Sequence, residues 1–246
     1  MDGTVDPVIG KATSGTDAKV PREMMGALLK FIRERGYEPG ERLPSERELA
    51  ERFGVSRNTI REMLSTLEWF RMVERRRSSG VYLTQEATDP SLEALVLTSG
   101  VGIDLNEREV LQSMETRYLL EMQAIRLCCE RHKEEDLVRM RRLLAQTERC
   151  IMAGGNIADL DSAFHLAIVM GTGNDVLVRV VRPFYLLSGK RRSLYFEDLK
   201  RARQSLQGHR ELVEAIAARD SARALRTLEA HLGTVERHWQ AEFSPE

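Results

Sequence analysis

The sequence has few cysteines, few aromatic residues and no long uncharged apolar run. The only cysteines are Cys128, Cys129 and Cys150. A disulfide framework is therefore not expected, and the composition fits a protein of the reducing cytoplasm. Aromatic residues make up 6% of the chain, and charged residues alternate with aliphatic ones, which favours helices over a β-sandwich. A membrane-spanning helix needs about 18 or more consecutive apolar residues. The sequence has no such run, so no membrane span is expected. The polar first residues also lack the pattern of a signal peptide.

Charge is abundant but balanced. The 246 residues include 37 Lys and Arg and 38 Asp and Glu, for a net charge of −1, which by itself does not predict nucleic-acid binding. The length favours two domains. Changes in composition along the chain predict a disordered leader at 1–19, a first domain at 20–85, a linker at 86–104, a helical second domain at 105–240 and a tail at 241–246.

The first domain is predicted to contain three short helices and a β-hairpin. The stretch "VPREMMGALLKFIRERG" has apolar residues at helical spacing and ends in a glycine. Ser45 and Glu48 form a capping box at the start of a second helix, and Gly54 is expected to end that helix. Ser56 is expected to cap the third helix after a Gly-Val-Ser turn. The stretch "MVERRRSSGVYLT" then predicts two strands around a basic tip, and this order of elements describes a winged helix-turn-helix.

The third helix carries polar side chains suited to the major groove of DNA. Arginine can bind guanine with two hydrogen bonds, and Ser, Thr and Asn suit phosphates or adenine. Glutamates interspersed among the arginines leave an alternative, in which the charges form ion pairs on a solvated helix face. The order of the elements favours DNA binding. The residues expected to face outward on this helix are Ser56, Arg57, Asn58, Thr59 and Arg61, and Arg75, Arg76 and Arg77 of the wing are expected to face phosphates or the minor groove.

The stretch "LPSERELAERFGVSRNTIREML" resembles, nearly position for position, the DNA-binding signature of the GntR family of bacterial transcription regulators. The resemblance implies that Arg47, Arg57 and Arg61 contact DNA and that the wing, tipped by a glycine near Gly80, enters the minor groove. One position departs from the family pattern. Arg71 stands where a glycine usually follows the recognition helix, so this residue requires either a left-handed conformation or a shifted helix end.

The second domain is predicted to be a bundle of six or seven helices, which makes the whole chain mainly α. The breaks between its helices fall at "GGN", "GTGN" and "ARDS". The predicted helices are Asn106–Arg131, Glu134–Met152, Ile157–Met170, Asp175–Leu187, Leu199–Ala218 and Ser221–Trp239.

Four residues of this domain are candidate metal ligands. In "DSAFH", Asp161 and His165 are spaced i and i+4 and therefore project from one helix face. His209 and His231 lie on later helices. If the four converge they suit Zn²⁺, Ni²⁺ or Mn²⁺, but spacing alone leaves open that each histidine is an ordinary hydrogen-bonded or surface residue. His132 and His238, which have no such pattern, are expected at the surface.

Residues 105–240 resemble the FCD effector domain of the FadR-like GntR subfamily. The resemblance implies that Asp161, His165, His209 and His231 hold a divalent cation, since they match the positions of the family's ligands. "RYLLE" is similar to an element of the family's first long helix, which implies that Arg117 lies near an effector cavity. "GTGN" is similar to the family's helix break, and Asn174 is assigned to effector binding on that basis.

Together these features predict a cytoplasmic, ligand-responsive repressor rather than an enzyme. A small carboxylate is expected at open metal positions with Arg117 as a second anchor, and a homodimer is expected on a near-palindromic operator. One alternative is a repressor that senses the metal itself, although the ligand set contains no thiolate. Another is a metal-dependent hydrolase with Glu121 or Asp161 as base, although no metalloprotease, phosphate-loop or nucleophile-elbow motif occurs.

Overall fold

The computed structural model describes residues 22–243, and the chain divides into two compact units, of which the first ends at Leu105 and the second begins at Asn106. The predicted leader and the last three residues of the predicted tail lie outside the described residues. The described residues contain eleven α-helices and one antiparallel two-stranded sheet. The predicted fold class, a mainly α chain with a winged helix-turn-helix followed by a helical bundle, is confirmed. None of the helices in this range is long and apolar enough to cross a membrane.

The first unit has the predicted three helices and hairpin, and its helix starts are determined by local capping. The Ser45 hydroxyl accepts a hydrogen bond from the Glu48 amide, and the Glu48 carboxylate accepts one from the Ser45 amide. Gly54 ends the second helix in a left-handed conformation at φ 65°. The elements are α1 (Arg22–Glu34), α2 (Glu46–Phe53), α3 (Arg57–Trp69), β1 (Val73–Arg76) and β2 (Gly80–Leu83).

The hairpin is joined to the chain segment that precedes α2. Val73 lies opposite Leu83, and Arg76 lies opposite Gly80 at the tip. The Leu43 amide donates to the carbonyl of Val81, 2.9 Å away, so the segment before α2 runs along the outer edge of β2. This pairing brings the start of α2 beside the wing, and the buried faces of α1, α2 and α3 pack under it as one core.

Arg71 adopts the left-handed conformation, and α3 keeps the helix end that the family pattern implies. Arg71 has φ 57°. Its amide donates to the carbonyl of Glu68, and the amide of Met72 donates to the carbonyl of Leu67, both at 2.9 Å. These two bonds and the buried Met72 and Leu67 side chains form a Schellman motif, in which glycine is the usual left-handed residue. The structure therefore has the left-handed conformation at Arg71 and not a shifted end of α3.

The stretch expected to be a linker contains a further helix, α4 (Leu92–Gly100), which packs in the first unit. Ser91 caps α4, and Ala94 is fully buried in the core. The carbonyl oxygen of Val101 lies so close to Gly26 of α1 that a Cβ there would come within 2.4 Å of it. A glycine in the middle of a helix usually weakens it. Gly26 is needed here because α1 packs against the end of α4 at this position.

The second unit has seven helices. Six correspond to the predicted helices, with ends that differ by no more than a few residues, and α9 was not predicted. They are α5 (Glu107–Arg131), α6 (Glu134–Met152), α7 (Ala158–Met170), α8 (Asp175–Leu187), α9 (Gly189–Tyr195), α10 (Leu199–Ala217) and α11 (Ser221–Phe243). α7 is mostly buried, and its Phe164, with no exposed surface, lies in the core formed with α5, α6, α10 and α11.

The end of α5 is held by a side chain from the turn between α10 and α11. The guanidinium of Arg219 donates to the carbonyls of Cys129, Glu130 and His132 at 2.7–3.1 Å. The expectation that His132 is a surface residue is wrong. His132 is 6% exposed, and its Nδ1 lies 2.9 Å from the Cys128 carbonyl, because its imidazole folds back on the last turn of α5.

Candidate metal centre and nucleic-acid interface

Three helices of the second unit bring the four candidate ligands to one point. Asp161 and His165 project from one face of α7, as their spacing requires, while His209 comes from α10 and His231 from α11. One potential ligand atom from each residue lies within 4.8 Å of all the others. Asp161, His165 and His209 are buried, and His231 is half-buried.

The three imidazoles face one another through their Nε2 atoms. The His165–His231 distance is 3.2 Å, and the distances from His209 to His165 and to His231 are both 3.3 Å. The Oδ1 atom of Asp161 lies 3.6 Å from His209 Nε2 and 3.9 Å from His165 Nε2. Ser205 of α10 donates to the same Oδ1 at 3.2 Å.

This arrangement fits a cation better than it fits hydrogen bonds among the side chains. A neutral imidazole nitrogen either donates or accepts, so three mutually close Nε2 atoms cannot all pair. Metal–nitrogen bonds of about 2.0–2.1 Å place neighbouring ligand nitrogens roughly 2.9 Å apart around a six-coordinate ion and roughly 3.3–3.4 Å apart around a tetrahedral one, and the observed distances lie within this range. Burial lowers the pKa of His209 well below its ordinary value and that of His231 to about 4. Both rings are therefore neutral at pH 7, the form that binds metals.

Glu121 of α5 supports the cluster from behind His165. Its Oε2 lies 2.7 Å from His165 Nδ1, and its Oε1 lies 3.0 Å from Arg117 Nε and accepts a hydrogen bond from the Tyr185 hydroxyl. Burial alone would raise the pKa of Glu121, but His165 and Arg117 outweigh it and hold the pKa at about 2. A carboxylate behind a ligand imidazole orients the ring and raises its basicity. This contact gives Glu121 an orienting role rather than that of the base considered for a hydrolase.

Arg192 of α9 is a member of this site that the sequence did not reveal. It is only 6% exposed, and its Nε lies 3.9 Å from Asp161 Oδ2. It donates to the Tyr185 carbonyl at 3.0 Å and to the Ser188 hydroxyl at 2.6 Å. The guanidiniums of Arg192 and Arg117 each lie 5.3 Å from the centre of the Tyr185 ring. In the sequence Arg192 belongs to the basic run "KRR", which carries no signal of burial.

Asn174, assigned to effector binding, is exposed and caps α8. Its side-chain oxygen accepts from the amides of Val176 and Leu177, each at 3.1 Å. No contact of Asn174 with the four ligand residues is among those described for residues 22–243. Its effector role therefore stays a prediction without a contact to support it.

The first unit gathers seven arginines around one groove of about 590 Å³. The groove lies between the start of α2, the start of α3 and the wing, and it includes Gly80. Six of these arginines were predicted to face DNA, and Arg42 was not. The seven are Arg42, Arg47, Arg57, Arg61, Arg75, Arg76 and Arg77. A Cβ on Gly80, which has φ +132°, would lie 2.7 Å from Arg42 Nε, so a glycine at this position lets Arg42 lie against the wing tip.

The arginines of this face differ in how they are held. Arg61 pairs with Glu46 across the turn at 3.0 Å, and Arg47 lies 3.9 Å from Glu51. Arg75 is bound to Glu68 and to the Arg61 carbonyl, so its guanidinium is already committed within the unit. Arg76 pairs with Glu74, and Arg57 has no ion pair among the described residues. The ion pairs that were considered as an alternative to DNA binding thus form at Arg61, Arg75 and Arg76. The guanidinium of Arg57 has no such partner among the described residues.

The three uncharged residues predicted on α3 lie outside this groove. The Ser56 hydroxyl caps α3 by accepting from the Thr59 amide at 3.1 Å, and it lies 2.9 Å from the Thr59 hydroxyl. The Asn58 amide donates to Glu62 at 2.9 Å. Ser56 and Asn58 are exposed at the N-terminal end of α3, where free backbone amides favour phosphate.

Comparisons with known proteins match both units. Residues 22–83 match the model of the bacterial regulatory proteins of the gntR family, and residues 112–234 match the model of the FCD domain. The second match covers half of the chain. The families are those of transcriptional regulators, and the expectation that the chain is not an enzyme is confirmed.

Individual relatives match along most of their length. The Uxu operon transcriptional regulator of Escherichia coli (strain K12) is 31% identical, over 94% of this chain and 91% of that protein. The HTH-type transcriptional regulator LutR of Bacillus subtilis (strain 168) is 32% identical, over 84% and 94%. A solved structure of Lar, which controls expression of the Listeria monocytogenes agr system, superposes with a TM-score of 0.66 at 19% identity over 93% of this chain and 99% of that one. That likeness concerns the fold.

Proposed function

The chain belongs to the gntR family of bacterial regulatory proteins and carries an FCD domain, and from this premise we propose a ligand-responsive repressor that acts on DNA in the cytoplasm. Its first unit binds a near-palindromic operator as part of a homodimer. Its second unit binds one divalent cation through Asp161, His165, His209 and His231 and takes a small carboxylate as effector. The observation that carries the proposal is the convergence of these four side chains from three helices within 4.8 Å.

The arginine groove supports the DNA-binding part. Arg57, at the first turn of α3, is exposed and has no ion pair among the described residues, so its guanidinium is available for a base. Arg61 is held by Glu46 and can exchange that partner for DNA. Recognition by one such module normally requires a second copy related by two-fold symmetry, which is why a dimer is part of the proposal.

The second unit supports an anionic effector. Four protein ligands leave positions open on a five- or six-coordinate ion, and a carboxylate is a suitable ligand for Zn²⁺, Ni²⁺ or Mn²⁺. When bound, the ion supplies a Lewis-acidic centre for that carboxylate. Arg117 uses Nε for Glu121 and retains its other N–H groups, so it can serve as a second anchor. Glu121 holds the His165 ring in place behind the metal.

An effector changes operator binding only if it prefers one arrangement of the protein over another. The proposal therefore requires that the loaded second unit exist in at least two states with different affinity for the carboxylate. If the cation alone, without any carboxylate, changes operator affinity, the metal-sensing alternative is the better account.

The test is the metal content of the purified protein by elemental mass spectrometry, with operator binding measured on the same samples. Wild type is expected to hold about one divalent ion per chain, and Asp161→Ala is expected to lose it. Asp159→Ala is the matched control, because Asp159 lies on the same helix but is exposed. An equal metal content in Asp161→Ala and wild type would remove the proposed centre and leave the DNA-binding proposal unaffected.

His209→Ala tests the link between the metal and regulation. We expect it to empty the site and abolish the response to effector, while the dimer and basal operator binding persist, since His209 lies in the second unit and the arginine groove in the first. Size-exclusion chromatography and fluorescence anisotropy with operator DNA measure both. Unchanged metal content in His209→Ala would exclude His209 from the ligand set.

A further inference from the structure

A groove of about 510 Å³ runs along the surface of the second unit between α10 and α11. Most of the residues that line it have polar side chains, among them two arginines, Arg201 and Arg226, and one carboxylate, Glu211. Arg201 is already paired with Asp198 at 3.5 Å. Arg226 is exposed and makes no ion pair or hydrogen bond among the described residues.

The floor of this groove is the outer side of the metal centre. Ser205, which donates to Asp161 Oδ1, and the ligand His231 both line it. Small residues keep the floor open. Gly208 lies where a Cβ would be 3.2 Å from His231 Nδ1, and Ala230 faces it from α11. A larger side chain at either position would cover His231.

The remaining ligands are closed off from solvent. Asp161, His165 and His209 are 5%, 2% and 1% exposed, and Glu121 behind them is 3% exposed. His231 is the half-buried member of the set, and its exposed side belongs to this groove. A small molecule that is to reach open metal positions must pass a wall of the bundle, and Ser205, Gly208 and Ala230 line the groove beside His231.

We propose that the groove between α10 and α11 is the passage by which a small anion reaches the metal centre, with Arg226 attracting the anion at its mouth. The inference rests on the proposed function, because the metal supplies the end point of the passage. The guanidinium of Arg226, which has no ion pair among the described residues, suits an anion and disfavours direct entry of a cation. Side chains such as Gln204, Gln207 and Thr227 offer hydrogen bonds to the polar part of the same molecule.

The experiment uses the full-length protein loaded with Co²⁺, whose visible absorption reports a change of ligands, and acetate as the probe anion. Stopped-flow absorbance gives the association rate constant. Ala230→Phe fills the passage, and Ala222→Phe is the matched control, since it makes the same change at an exposed position of α11 outside the groove. We expect Ala230→Phe to slow acetate association by about tenfold or more, with a similar slowing of dissociation and thus little change in Kd.

Arg226→Glu tests the charge at the mouth. Its association rate is expected to fall by about threefold or more at low ionic strength, and the difference from wild type should disappear at high salt because screening removes steering. Arg203→Glu is its control, as Arg203 is an exposed arginine of α10 outside the groove.

The outcomes separate the passage from the proposed function. If wild type takes up no Co²⁺, or if its spectrum does not respond to acetate, the proposed function fails and the passage fails with it. If Co²⁺ and acetate both bind, but Ala230→Phe associates as fast as Ala222→Phe, the passage is wrong and the metal centre stands. Slow association in Ala230→Phe alone supports the passage.

Discussion

Arg71→Gly is expected to stabilise the first unit. The left-handed conformation destabilises the folded state by roughly 1–2 kcal/mol when an L-residue adopts it. A glycine at this position avoids that cost but loses about 0.5–1 kcal/mol of stability, because glycine makes the unfolded chain more flexible. The Arg71 side chain is exposed and makes no hydrogen bond or ion pair among the described residues, so its removal loses no contact. Its carbonyl, which accepts from the Thr84 hydroxyl, remains in the variant. The net gain expected is about 0.5–1 kcal/mol.

The measurement is native-state hydrogen exchange of the α3 amides in the full-length chain, with Arg71→Ala as the reference. Alanine keeps the left-handed strain and removes the same side chain, so Arg71→Ala should match wild type while Arg71→Gly is protected more strongly. If glycine and alanine gave equal protection, the conformation at this position would not be strained. Greater stability in both variants would instead assign the effect to the arginine charge. Operator affinity is expected to stay the same throughout, since Arg71 lies outside the groove.

Two further substitutions test the interface and the bundle. Arg57→Ala should lower operator binding by about 1–3 kcal/mol and relax the preference at one base pair; anisotropy titrations with single-base operator variants measure this, and an equal loss on all DNA would assign Arg57 to phosphate. Arg219→Ala should lower the free energy of unfolding of the second unit by about 1–3 kcal/mol, because three carbonyls at the end of α5 lose a charged donor. Urea denaturation measures it, and no change would mean that water replaces the guanidinium without loss.

The sequence predicted features that depend on neighbouring residues and missed those that depend on packing. The capping box at Ser45 and the helix end at Gly54 are local, and both occur as expected. α4 was missed because "LEALVLTSG" is apolar on all sides and lacks a helical stripe. Its partner position, Gly26, becomes understandable only when the carbonyl of Val101 is seen against it.

The same division holds at the candidate metal centre. The spacing of Asp161 and His165 places them on one helix face, and family resemblance was needed to add ligands from other helices. Glu121 follows Arg117 at i+4, a pairing that a helix dictates. Arg192 could not be found in this way, since an arginine in a basic run is ordinarily solvated, and its burial against Asp161 results from how α9 packs on α7.

The position of the proposed ligands along the chain has a consequence for synthesis. The elements of the arginine groove all precede Leu105, whereas the ligand set is complete only when His231 has been made. At the usual speed of the ribosome these two moments are separated by roughly 6–25 s. A nascent chain therefore contains the residues of the arginine groove before it can complete the proposed ligand set. A premature stop codon between the two points would leave the arginine groove encoded and remove at least one residue of the proposed ligand set.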